Sequence, residues 1–249
     1  MSGDGHGRPL PAGPLALLVL LAVAAFLGLL ALGQWQLERR VWKLDLIERV
    51  QRQLAAAPVP APAPADWPGL ARQDEYRRVE IEGEFLHERE TCTQAVTVRG
   101  PGCWVLTPLR TPTGWVVLIN RGYVDAEHRD PATRPEGQSP GQMRLTGLLR
   151  LSEPGGGFLR KNVPAENRWY SRDVAAIADA RGLRDAPVAP YFIDAEASVA
   201  GGPVGGLTVV NFRNSHLVYA LTWYGLAALV LGGLGLLLRQ EWRLRRRPA

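Results

Sequence analysis

The sequence predicts a membrane α+β protein. Two transmembrane helices flank an extracytoplasmic, antiparallel β-rich domain, a curled sheet of barrel or sandwich type with one or two short helices. Two observations carry this. Leu15 to Leu32 and Leu217 to Leu238 are runs of 18 and 22 residues without a charged or amide side chain. Between them, short segments alternate apolar and polar residues with the period of a half-buried strand. As a helix, the first run is about 27 Å long, close to the hydrocarbon thickness of a bilayer.

In chain order, a cytoplasmic tail over 1–14 precedes a first span over 15–33. A cleaved signal peptide is the alternative there, since Ala31 and Gly33 fit the small residues of a cleavage site. The run is too long for a signal core, and Arg8 is opposed by Asp4, so an uncleaved anchor is the expectation. Leu37, Val41, Leu44, Ile47, Val50 and Leu54 recur at spacings of three and four, which extends the helix over 34–54. Residues 55–68 are Ala/Pro-rich, with alternating Pro58, Pro60, Pro62 and Pro64, and read as an extended spacer. The β-rich domain follows over 69–213. Its expected strands are Arg77 to Phe85, Gln94 to Arg99, Cys103 to Leu109, Gly114 to Val124, Met143 to Leu151, Ala189 to Ala195 and Leu207 to Phe212. Thr111 to Gly114 makes a hairpin turn, and Pro131 to Gln142 is a loop without periodicity. Ser171 or Asp173 caps a short helix through Ala180 that Gly182 closes. A second span covers 216–238 and an arginine-rich cytoplasmic tail covers 239–249.

The 249 residues carry a net charge of +5, with 46% hydrophobic and 21% charged residues. These averages would fit a soluble basic protein, and a basic balance ordinarily points to nucleic acid or an anionic membrane surface. The position of the charge decides for the membrane. Arg239, Arg243, Arg245, Arg246 and Arg247 against Glu241 place +4 of the total just after the second span. That cluster puts the C-terminus, and with two spans also the N-terminus, in the cytoplasm. Arg39, Arg40 and Lys43 follow the first span on the outer side and oppose the rule, but the C-terminal cluster is larger. The central domain is then periplasmic, in a bacterial inner membrane, and no nucleic-acid partner is expected.

Two cysteines, Cys92 and Cys103, form no Cys-x-x-Cys pair, so paired-thiol redox or copper work is poorly supported. They either stay free or join as a structural disulfide across adjacent strands; geometry decides. Of four histidines, His6, His87 and His128 lie in polar stretches that read as solvated surface. His216 lies at the outer mouth of the second span. It is either an interfacial polar residue or an axial ligand to a porphyrin iron. On a helix, Ala220, Trp223 and Ala227 fall within about 40° of His216, and Tyr219 about 60° away. The opposite side carries Gly225, Ala228, Gly232 and Gly235, small residues suited to packing on Ala24 and Gly28 of the first span. The expectation is that this small side meets the first span and the His216 side stays open to a ligand. Trp35 and Trp42 read as interface anchors. Arg39, Arg40 and Lys43 would meet lipid headgroups or a porphyrin propionate. There is no phosphate-binding loop, dinucleotide fingerprint or nucleophile–base set, so an extracytoplasmic enzyme or sensor is the least favoured reading.

The assembled motifs resemble the Surfeit locus protein 1 family, assembly factors for haem-copper cytochrome c oxidase. They are Gly33-Gln34-Trp35-Gln36, Glu82-Gly83-Glu84-Phe85, Thr107-Pro108-Leu109-Arg110, Asn120-Arg121-Gly122-Tyr123, Asn167-Arg168-Trp169-Tyr170 and Asn214 through Tyr224. Tyr123 stands where the family usually has tryptophan. The resemblance implies a two-span membrane protein, not an enzyme, that helps insert haem a into oxidase subunit I. Subunit I and the haem a synthesis machinery would be its partners. It also implies that His216 is the axial ligand of haem a. Tyr219 and Trp223 join it by helical geometry, and Arg39 and Lys43 as propionate contacts. The alternative function is a non-haem scaffold holding a subunit I assembly intermediate.

Overall fold

A computed structural model describes residues 9–208 and 214–246. The chain forms two units, one from residues up to Glu48 together with those from Asn211 onward, the other Arg49–Val210.

The second unit is built on a barrel. Its elements are β1 (Val59–Pro60), β2 (Arg78–Phe85), β3 (Thr91–Thr97), β4 (Gly100–Arg110), β5 (Val116–Val124), β6 (Gln142–Leu151), β7 (Gly156–Gly157), β8 (Arg160–Lys161), α2 (Val174–Ala180) and β9 (Val188–Ala195). The main sheet runs β1-β2-β6-β9-β5-β4-β3. Pairing of Glu84 with Arg110 and Phe85 with Leu109 joins β2 to β4 and closes five strands into a barrel. The neighbours β5 and β9 are parallel, and the other barrel pairs are antiparallel. Expected strand positions agree within a few residues except at two places. The strand placed at Gln94 to Arg99 begins at Thr91, because Thr91–Thr97 pairs along its length with β4. Of the strand placed at Leu207 to Phe212, Leu207 and Thr208 are not in a strand and the rest lies outside the described residues.

All nine residues of β5 are buried. Val117 and Ile119 point into the barrel with Val79, Leu109, Leu149, Tyr191 and Ile193. Val116 and Leu118 point outward, under Val174 and Ile177 of α2 and beside Trp169 and Phe192. Burial on both faces explains why β5 reads as a near-continuous apolar run, Val116 to Ile119, instead of a clean alternation. Asp173 caps α2 by accepting from the Ala176 N–H at 3.2 Å, which settles the choice with Ser171.

The Ala/Pro-rich segment is part of this unit. Val59 pairs with Val79 in parallel, the Ala61 N–H donates to Glu80 O at 2.9 Å, and Tyr191 Oη donates to Pro62 O at 2.8 Å. Prolines lack a donor but keep their carbonyls, so an edge position suits them. Cys92 and Cys103 are joined in a disulfide between β3 and β4, with Cα atoms 5.6 Å apart. His87 is half-buried, its ring 5.4 Å from that of Phe85, instead of fully solvated.

Glu90 sits in a buried charge cluster. Arg134 donates to both of its carboxylate oxygens, Arg121 NH1 lies 3.7 Å away, and the three side chains are at most 5% exposed. Thr107 Oγ1 donates to Glu90 at 3.4 Å. Beside Arg121, Gly122 has φ +130°, and a Cβ there would stand 2.2 Å from Val204 O. Gly122→Ala is therefore expected to cost about 2–3 kcal/mol, from backbone strain and the displaced 203–205 segment. A lowered denaturant midpoint of the detergent-solubilised chain would show it; an unchanged midpoint would mean that segment yields freely.

The other unit pairs α1 (Ala12–Ala55), up to Glu48, with α3 (His216–Arg245). Both helices are long and apolar enough to cross a membrane. They run antiparallel. At one end the Leu10 N–H donates to Glu241 at 3.0 Å, and Arg245 bonds Leu10 O at 3.1 Å. At the middle Gly33 receives the Tyr224 ring: a Cβ at position 33 would stand 2.6 Å from it.

Candidate functional site

His216 opens α3, and its placement follows from the helix pair. Its Nδ1 lies 2.7 Å from Gln36 Oε1, one turn past Gly33 on α1. An amide oxygen only accepts, so Nδ1 carries the proton and donates. The remaining ring nitrogen, Nε2, then presents a lone pair. This is the tautomer a metal-binding imidazole needs, oriented from behind by a neutral acceptor.

The face beneath His216 differs from the expectation. Ala220 and Ala227 are 1% exposed and Trp223 and Tyr224 are half-buried, so the His216 side is the one that meets α1. Gly225, Ala228, Gly232 and Gly235 are exposed, and a Cβ on any of those three glycines would meet nothing within 4 Å. Ala24 and Gly28 are exposed as well. The physical reason is shape. Gly33 of α1 offers a hollow that takes the Tyr224 ring, and the two alanines seven residues apart admit α1 closely. Residues that seemed to leave room for a ligand leave it for a helix.

The other anticipated residues separate. Tyr219 is 55% exposed and turned away from α1. Trp223 Nε1 is buried and has no hydrogen-bond partner among the described residues. Arg39 faces outward, its guanidinium 4.5 Å from the Trp42 ring centre. Lys43 lies two turns from Gln36 on the same face of α1 and is half-buried. The structure thus brings His216 together with Gln36, keeps Lys43 on the Gln36 face, and sends Arg39 elsewhere. Gln36 had no role assigned from sequence. Its signal was an amide on the inward face of a helix leaving an apolar run.

Against a haem group, the donor fits: a tautomer-fixed imidazole with Nε2 free. The alanine face fits less well, since α1 covers it, so a planar ring would have to approach His216 from its outer side, past Tyr219.

The SURF1 family model matches residues 23–228, which takes in Gln36, Lys43, His216 and Trp223. The chain belongs to the SURF1 family. Within it, the chain is 39% identical over 230 residues to Surfeit locus protein 1 of Homo sapiens, covering 85% of this chain and 73% of that one. A SURF1-like protein of Monosiga brevicollis is 37% identical over 216 residues, 80% of this chain and 79% of the other. That of Caenorhabditis briggsae is 32% identical over 240 residues, 86% and 72%. The match to the SURF1 family thus spans the barrel and reaches into both long helices.

Proposed function

We propose that this chain is an assembly factor for haem-copper cytochrome c oxidase, holding haem a on His216 and delivering it to subunit I. The observation that carries the reading is the Gln36–His216 hydrogen bond, which leaves Nε2 as a free donor. Membership of the SURF1 family supports the oxidase context. When bound, haem a supplies an iron that accepts an imidazole nitrogen. Gln36 holds the ring in one tautomer and orientation, and the half-buried position keeps it partly out of bulk water. Tyr219 would flank the group on its outer side, and Lys43, by its position on the Gln36 face of α1, would be the cation nearer a propionate than the outward-facing Arg39. A single imidazole gives a reversible hold, as a carrier between the haem a synthesis machinery and subunit I requires. The chain is read as a carrier and not an enzyme.

The site goes with a topology in which α1 and α3 cross the bacterial inner membrane, both termini are cytoplasmic and the barrel is periplasmic. The arginine cluster after α3 supports this orientation. The Cys92–Cys103 disulfide supports an oxidising compartment for the barrel.

The test is purification from cells that make haem a, followed by absorbance spectroscopy. Wild type is expected to carry a Soret band, and Gln36→Leu to weaken haem retention about 10–100-fold, as lost support of a metal-bound histidine does. Wild-type protein free of haem under these conditions would discard the carrier reading.

A further inference from the structure

Four large apolar side chains of the barrel unit are displayed almost completely: Val96 (81% exposed), Val98 (90%), Phe158 (92%) and Leu159 (89%). The unit's other exposed large apolar residue among those described is Val59, at 43%. All four lie on two hairpins, β3–β4 and β7–β8. These hairpins are tied side by side, since Arg160 of β8 donates to Gln94 Oε1 of β3 at 3.3 Å.

The tips are two-residue turns, Val98-Arg99 and Phe158-Leu159. Asn and Gly are the usual occupants of such turns, because the backbone needs positive φ. Leu159 adopts φ +57° here. A branched apolar residue held in the left-handed region, in the open, is strained and costs solubility, and such costs cluster at functional surfaces. The hairpins themselves carry charge of one sign. Arg99, Arg160 and Lys161 are present, and neither 91–104 nor 154–163 contains an acidic residue.

We infer that the paired hairpin tips are a membrane-docking surface that inserts Val98, Phe158 and Leu159 into the interface of an anionic lipid bilayer. Apolar tips adjoined by Arg99, Arg160 and Lys161 match both layers of such an interface, acyl boundary and headgroup. The tips are convex and small. Four side chains fall short of the roughly 800 Å² that a stable protein contact buries on each partner. A soft bilayer accepts a protruding tip without a matching pocket.

The experiment uses the full chain in lipid nanodiscs. Phe158→Cys is labelled with a polarity-sensitive fluorophore without reductant, so that the Cys92–Cys103 disulfide stays closed. Position 158 is an exposed turn, and Val98→Cys serves as a second reporter. In discs containing phosphatidylglycerol, brominated acyl chains are expected to quench either label at least two-fold and aqueous iodide to quench weakly. Arg99→Glu with Lys161→Glu, or a change to phosphatidylcholine, should abolish the bromine quenching. Full access to iodide with no bromine quenching at both positions overturns the inference. So does a label shielded from both quenchers, which would mark a protein contact, such as a second copy, in place of lipid.

Discussion

His216→Ala is expected to abolish the Soret band of the purified chain while leaving the protein in the membrane at wild-type level. The imidazole would be the ligand, because Gln36 occupies its Nδ1 and leaves the Nε2 lone pair for the iron. Tyr219, one turn on, is 55% exposed and turned from α1, so it is less well placed to hold the iron. The helix pair should survive, since Ala220, Ala227 and the Tyr224–Gly33 contact do not involve the imidazole. Gln36→Leu should be milder, because it frees the ring to turn without removing the donor. The two variants together separate ligation from orientation. A band that persists in His216→Ala would sink the assignment of the ligand. If instead the band is lost but the variant still copurifies with subunit I and supports full oxidase activity, haem is incidental and the scaffold function stands.

Glu90→Ala should give the largest loss of stability in the barrel, about 3–5 kcal/mol, the usual penalty for stranding a buried partner charge. Arg134 and Arg121 would be left buried side by side, with their common counter-charge removed. Burial already pulls the Arg121 guanidinium below its ordinary pKa, and Glu90 is the charge that counters this. Glu90→Gln should lose less, since an amide oxygen still accepts from Arg134 and Thr107. The measure is the denaturant midpoint of the solubilised chain, wild type against both variants. A loss below about 1 kcal/mol for alanine would mean that water replaces the carboxylate and the cluster is not dry.

Much of the fold was legible because burial imposes periods. Uncharged runs of bilayer length marked the long helices, alternation marked β2, and apolar or aromatic runs bounded by turn residues marked β4, β6 and β9. What stayed hidden depends on partners distant in the chain. Prolines at 58–64 argue against a strand in general, and only the free edge of β2 makes the segment a place for β1. Thr91 to Thr93 lay before the expected start of their strand at Gln94, and only pairing with β4 brings them into it. The helical wheel correctly grouped His216, Ala220, Trp223 and Ala227 on one side of α3. It could not say which side α1 would take, because periodicity gives a face but not its occupant. Gln36 and Glu90 are ordinary polar residues in sequence and gain their meaning from contacts 180 and 44 positions away, with His216 and Arg134.

The position of β9 has a consequence for any shortened chain. It lies between β5 and β6 and pairs with both, in parallel to one and antiparallel to the other. Until Ala195 has been synthesised the shell has a gap, flanked by two long strands with unsatisfied backbone donors and acceptors. Premature termination upstream of it therefore cannot yield a smaller working protein. It leaves sticky sheet margins that invite aggregation and proteolysis, so nonsense changes across the first three-quarters of the gene should behave alike, as complete losses.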